Sequence, residues 1–468
     1  MFNWLWQNSP IVNSKQHALG PTANVFMKTS QLYQGSGRVG EILHLEGPCI
    51  SLDQLKKVIA RLQRRHPVLR SRLKVHPSNP NHFILEEDET LQLQVEEIPR
   101  KRHDCLDSWL QEWRKREKEP TNIGEGLVRV WLLQDPDDKD DLNGPREVVI
   151  MCEHCICDGL SLSNACHELL TILSDEDGNL FCDSLDWPIS MEDAVWKSLS
   201  IINRYITLGR FIFSTVYTNI TSKLGTARIP LGNIDFPVDD MDKHCHTELV
   251  YGILNKQMTA KFIAKCRQEK VTVTAAVISA ILSAASSLIP TDSTQDTLLK
   301  IILGADTRRR CIPPIPSRDL SFHMSSMALF SVTTSTVPKT SDGLWQLART
   351  VGHHVKKCID AGQVLAFGMI QAKICEQSLG PIHFPQMPTY SISSWGLLPF
   401  VEYYGQWKLT RMSPFVNLVR GPLPFTTIQT VNGVLTMMFS GSNPLIASHT
   451  LAALRDRSMD SLQQMINN

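Results

Sequence analysis

The chain has 468 residues, with 47 Lys+Arg against 47 Asp+Glu, so its formal net charge is zero. Length allows two large domains or about three of ordinary size, and 42% hydrophobic with 20% charged residues fits a soluble globular protein and excludes long-range disorder. Zero net charge excludes a general electrostatic pull toward nucleic acid or anionic lipid, so any such contact needs a local patch.

In chain order, Ile42-Leu43-His44-Leu45-Glu46 reads as a strand stopped by Gly47-Pro48. Ser51 caps a helix whose Leu55, Val58, Ile59 and Leu62 recur at helical spacing, ending at Arg64-Arg65-His66-Pro67. Leu69–Val75 is the next strand, followed by a helix from about Cys105 to Lys118 and strands at Leu127–Leu133 and Val148–Cys152. The charged run 135–141 is a surface hairpin loop between the last two. A helix follows over about Ser161–Ser174. An amphipathic stretch then spans about 190–222, with Ile202, Ile206, Phe213 and Tyr217 near one face and Arg204 and Arg210 off it. It reads as a connecting helix docked on the body; a lid or a membrane-surface helix are the functional alternatives. Residues 225–245 look like a linker. The second half again mixes strands (247–254, 298–303, 328–334 and 426–440) with helices (257–269, 274–288 and 341–360), giving two α/β layers of similar size.

The expected division is 1–185, a connector at 186–245, and 246–468. Residues 271–291 carry no charge and are long enough to span a bilayer, but six Ser and Thr residues favour a buried helix, with Thr274 as its cap. The uncharged run 421–454 contains Asn432-Gly433 between two apolar stretches, a hairpin signal. No transmembrane helix is expected. The 12 cysteines are too sparse for a disulfide scaffold, and the first ten residues lack the pattern of a signal peptide. A cytoplasmic location is expected, which makes the sequon Asn219-Ile220-Thr221 accidental.

The chemistry concentrates in Val148–Ser161. An apolar strand delivers His154, Asp158-Gly159 follows, and a helix begins. Gly159 permits a tight turn, and His is the side chain suited to proton transfer near neutral pH. Three other readings stand beside this one. His154 can be a satisfied core residue. Cys152, His154, Cys155 and Cys157 can suggest zinc, although adjacent ligands at 154 and 155 do not easily close one tetrahedral site. A cysteine beside the His can be a nucleophile.

Four places together resemble the CoA-dependent acyltransferase superfamily, which includes condensation domains and alcohol acetyltransferases. They are Leu45-Glu46-Gly47 with Leu52-Asp53-Gln54-Leu55 and Arg65-His66-Pro67-Val68-Leu69-Arg70; His154-x-x-x-Asp158-Gly159; Gly304-Ala305-Asp306-Thr307-Arg308; and Ser393-Ser394-Trp395-Gly396. The resemblance implies a two-domain α/β fold like that of chloramphenicol acetyltransferase, with the active-site channel between the domains. It implies O-acyl transfer from acyl-CoA to an alcohol, with His154 as general base, no metal and no cofactor beyond acyl-CoA as co-substrate. Asp158 is then expected to pair with Arg308 and hold the turn with Gly159. Arg308, Ser394, Trp395 and Gly396 are expected at the substrate channel. Arg308–Arg310 reads alternatively as a solvated basic run, part of which meets CoA phosphates, and Trp395 as a core residue. Two positions depart from the family pattern: Glu153 stands where many relatives have a first His, and Ser394 where Asn is usual. The implied partners are acyl-CoA and a small hydroxylated acceptor, with no nucleic acid, and relatives are often monomers. Amide-forming condensation with a carrier-bound donor and a non-catalytic binding role are the two other functions considered.

Overall fold

The computed structural model describes residues 15–101, 108–138, 141–221, 231–233, 236–237, 241–289, 296–380 and 388–467. Most of the expected elements are present. Ser51 caps Leu52–Arg65 by accepting from the Gln54 amide at 3.1 Å, and Leu55, Val58, Ile59 and Leu62 are its buried face. This helix and Gly159–Leu173 pack together over one sheet. The start of the expected helix at Cys105 lies outside the described residues; its observed span is Trp109–Arg116.

The first sheet has six strands in the order Tyr403–Tyr404, Trp407–Val416, Val39–Gly47, Gly144–Cys152, Val128–Gln134 and Gln94–Pro99. The central Gly144–Cys152 pairs antiparallel with both neighbours, Val39 and Val128 each lying opposite Cys152. Two of its strands come from after residue 400, so a boundary at 246 divides the sequence but not the sheets. A small sheet of Gln16–Ala18, Asn79–Glu87 and Ser71–His76 stands beside it.

The larger second sheet runs Met324–Ser326, Leu298–Asp306, Tyr390–Leu397, Phe425–Val431, Val434–Asn443 and His246–Leu254, with Phe330–Thr333 also pairing to Leu298–Asp306. Tyr390–Leu397 is parallel to both neighbours. The Asn432-Gly433 hairpin forms as expected, both residues having positive φ. Helices Lys256–Gln268, Val273–Leu288, Ser341–Asp360 and Ser448–Asn467 share this sheet's core.

Val273–Leu288 buries the run Ala275–Leu282 together with Ala284 and Ala285, which accounts for its apolar sequence. Its cap is Thr272, accepting from the Ala275 amide, and not Thr274. Thr274 instead lies 2.8 Å from Ser394 Oγ. No single described helix is long and apolar enough to cross a membrane; one pair, Lys256–Gln268 with Val273–Leu288, passes on length and composition together but is bent by 102°.

The amphipathic stretch forms two helices, Met191–Ser198 and Ile201–Thr221. The second docks through Phe211, edge-on to Phe367 at 5.8 Å, with Leu208 beside it. The face carrying Ile202, Ile206 and Phe213 points outward. The Tyr217 side chain and most of the expected 225–245 linker lie outside the described residues.

Candidate active site

His154 leaves the end of Gly144–Cys152 on a short loop and is half-buried. Its Nδ1 lies 2.7 Å from the Cys157 carbonyl oxygen. A carbonyl only accepts, so Nδ1 carries the proton and Nε2 keeps its lone pair. Phe26 and Phe322 pack against the ring, with centroids 4.9 and 5.1 Å away, and Phe322 is edge-on. Burial pushes the His154 pKa down, offset only in part by the Cys157 carbonyl and Asp158, so the neutral base is favoured.

Asp158 caps the helix Gly159–Leu173, its Oδ1 accepting from the Ser161 amide at 3.0 Å. Its Oδ2 accepts from Arg308 Nη1 and from the His323 amide, both at 2.8 Å. Burial alone raises this carboxyl's pKa, but Arg308 and the two amides outweigh it and hold the pKa below the ordinary value. Arg308 is 2% exposed; its Nη1 also reaches Asp306 at 3.0 Å, and its Nη2 donates to the Ser321 carbonyl at 2.7 Å. The expected pairing is present. Because the guanidinium is buried and both terminal nitrogens are engaged by these partners, Arg308 positions the loop and is not the phosphate-reaching member of its run. Of the three arginines, Arg309 is the exposed one.

Gly159 faces the Trp395 indole, and a Cβ there would fall 2.2 Å from the ring. Trp395 Nε1 donates to Ser393 Oγ at 3.2 Å, and the bulge between Ser394 and Gly396, with Gly396 at φ +75°, presents the indole. Glu153 is buried beneath the loop, accepting from Thr121 Oγ1 at 2.7 Å, with Arg38 as its strongest cationic neighbour.

Two cavities flank the loop. One is lined by Cys155, Ile156, Phe322, Met191 and Glu192 among others. The second is lined by Asp158, Gly159, Leu160, Asp306, Arg308, Ser393, Ser394 and Trp395 among others. Thus Asp158, Gly159, Arg308, Ser394 and Trp395 meet at one cavity; Gly396 and His154 line neither, although Cys155 and Ile156, which follow His154 on its loop, line the first. Sequence reasoning missed Phe26, Phe322, Ser321, His323 and the Asp306 arm of the ion pair. Only Asp306 lay inside a quoted motif; lone aromatic residues far along the chain carry no local signal. The described residues hold no group of three or more His, Cys, Asp or Glu placed to bind a metal.

Among solved structures, a trichothecene 15-O-acetyltransferase from Fusarium sporotrichioides superposes with a TM-score of 0.75, at 11% identity over 97% of each chain. The first condensation domain of the calcium-dependent antibiotic synthetase gives 0.68, at 13% identity over 97% of each chain. Polyketide synthase associated protein 5 from Mycobacterium tuberculosis gives 0.65, at 17% identity over 95% of this chain and 98% of that one. The family described as Phthiocerol/phthiodiolone dimycocerosyl transferase C-terminus matches residues 249–440. The chain has the fold of the CoA-dependent acyltransferase and condensation-domain superfamily. No curated protein matches it by sequence. Within the superfamily fold, the two-sheet arrangement is the chloramphenicol-acetyltransferase-like one expected from the sequence, and it is a fold of acyl- and condensation-type transferases.

Proposed function

We propose that the protein transfers an acyl group from acyl-CoA to an alcohol, with His154 as general base. The observation that carries this reading is the His154–Cys157 hydrogen bond, which fixes the neutral tautomer and leaves Nε2 as acceptor on a loop whose other residues, Cys155 and Ile156 on one side and Asp158 on the other, line two cavities. Nε2 takes the acceptor's hydroxyl proton as that oxygen attacks the thioester carbonyl. The tetrahedral oxyanion collapses, the C–S bond breaks, and the proton passes to the departing thiolate. The sequence of steps needs neither a covalent acyl-enzyme nor a metal. Asp158 and Arg308 hold the loop, and Gly159 leaves room for the Trp395 indole; Ser394 and Trp395 contact the donor in the second cavity.

The test is thiol release from acetyl-, hexanoyl- and palmitoyl-CoA, with and without a pool of alcohols and amines, for wild type and His154→Ala. Acceptor-dependent CoA release that disappears in the variant supports the reading. The near full-length similarity to condensation domains favours a second reading, in which the donor is held on a carrier protein. Silence on every free CoA ester combined with turnover of an acyl-carrier protein selects that one, and silence on both leaves a non-catalytic binding role.

A further inference from the structure

The helix Ile201–Thr221 turns six large apolar side chains to solvent: Ile201, Ile202, Tyr205, Ile206, Ile212 and Phe213. At 100° per residue they occupy one continuous arc of about 140°, while Phe211 and Leu208 lie on the docked side. The arc is not marginal: Ile202 is 72% and Phe213 73% exposed. From Ile201 to Phe213 it runs for about 18 Å at 1.5 Å per residue. A face of this kind costs free energy in water unless something covers it.

Charge says what covers it. The whole chain is neutral, yet from Ala194 to Ile234 the sequence contains no Asp or Glu and five cations, Lys197, Arg204, Arg210, Lys223 and Arg228. Arg204 is stacked on Trp196 at 4.0 Å and donates to its backbone carbonyl, which anchors the helix start; Arg210 is exposed beside the apolar arc. The exposed apolar arc, Arg210 beside it and the lack of acids along this stretch of sequence are the combination that seats a helix in the plane of an anionic bilayer surface. A protein partner would need no such exclusion of acids.

We propose that this face docks the protein reversibly on an anionic membrane surface, with the helix lying in the interface. The inference does not rest on the acyl-transfer reading. The helix begins soon after Ser190, Met191 and Glu192, which line the first cavity, so docking brings that cavity's wall close to the lipid.

The experiment is flotation of the full chain with vesicles of phosphatidylcholine alone or of equal parts phosphatidylcholine and phosphatidylserine, at low and high salt. Wild type is expected to float with the anionic vesicles at low salt, less at high salt, and weakly with the neutral ones. Ile202→Asp/Phe213→Asp should lose about tenfold or more of this binding. Both positions are exposed, so its thermal unfolding should match wild type, and a change there calls for the milder Phe213→Ser. Arg210→Glu should weaken binding to anionic vesicles only. Wild type remaining in the bottom fraction at low salt, or binding unchanged in Ile202→Asp/Phe213→Asp, overturns the proposal. So does lipid-independent dimerisation in light scattering that the same variant abolishes, which would assign the face to a second copy of the chain.

Discussion

Arg308 Nη1 lies 2.8 Å from Asp158 Oδ2, and both side chains are buried. This ion pair joins the start of the helix behind His154, which follows the first sheet, to the turn that ends Leu298–Asp306 in the second. A buried charge left without its partner typically costs 3–5 kcal/mol, about the same order as the whole stability of a domain. Asp158→Asn is therefore expected to lower stability by about 3 kcal/mol or more and to cut turnover by moving the loop. Arg308→Met should do likewise, and the double variant should cost less than the sum. Denaturant midpoints and turnover of all three check this; additive losses would show that the two residues act separately.

His154→Ala should leave unfolding nearly unchanged while lowering turnover by about 10²–10⁴-fold, the range of a lost general base. The pH profile carries the sharper test. Burial depresses the His154 pKa, so the acid limb of kcat/KM should have its midpoint below the free-histidine value of about 6.5, with a plateau at neutral pH. A midpoint above that value would contradict the buried environment.

His323 adds a stability effect in the acid range. Burial and then Arg308 push its pKa down to about 4 in the folded protein, while the unfolded chain protonates it near 6.5. Stability from this group is complete above pH 6.5 and is lost as pH falls toward about 4, because the unfolded state binds the proton first. His323→Gln should flatten that part of the stability curve, measured by denaturant titration at successive pH values.

Glu41 acts in the opposite window. It is fully buried; burial raises its pKa to about 8, against smaller lowering effects from Ser163 and Cys166. The unfolded chain releases this proton near pH 4.5 and the folded chain holds it to about 8, so stability falls as pH rises between the two. Glu41→Gln should remove this slope, leaving a variant whose stability relative to wild type improves steadily from pH 5 to pH 8. A constant difference across that range would place the titration elsewhere.

Gly159→Ala sets two effects against each other. At this first helical position alanine recovers only part of the about 1 kcal/mol by which it exceeds glycine in a helix interior, and its Cβ would fall 2.2 Å from the Trp395 indole. Overpacking of this kind costs about 1–3 kcal/mol, so the clash wins and the variant should be less stable and slower. Trp395→Ala makes room, and Gly159→Ala added to it should be neutral or stabilising. A double-mutant cycle read by thermal unfolding decides this.

Local signals were the legible ones. Ser51 with its helical apolar spacing, the His154–Gly159 turn and the Asn432-Gly433 hairpin each rest on residues close in sequence. The Asp158–Arg308 pair spans 150 positions and was reachable only through the resemblance to a family. Phe26 and Phe322 reach His154 from opposite directions along the chain, and nothing local marks either one. Thr272 and Thr274 offer the same hydroxyl near one helix start, so spacing alone could not choose the cap. Helical periodicity found the apolar face of Ile201–Thr221 but carries no sign: an inward and an outward stripe have the same period.

The strand Trp407–Val416 lies between Tyr403–Tyr404 and Val39–Gly47, and Val416 pairs with Val39. During synthesis, the edge of Val39–Gly47 therefore waits for a partner until nearly nine-tenths of the chain has left the ribosome. At about 5–20 residues per second, that exposure lasts on the order of tens of seconds. An unpaired strand edge held open that long is a template for wrong pairing, and Glu41, His44 and Glu46 place polar groups along it. Expression yield should then depend on translation rate and chaperone supply, and the first 245 residues made alone should aggregate, because the strand that closes their sheet is encoded far downstream.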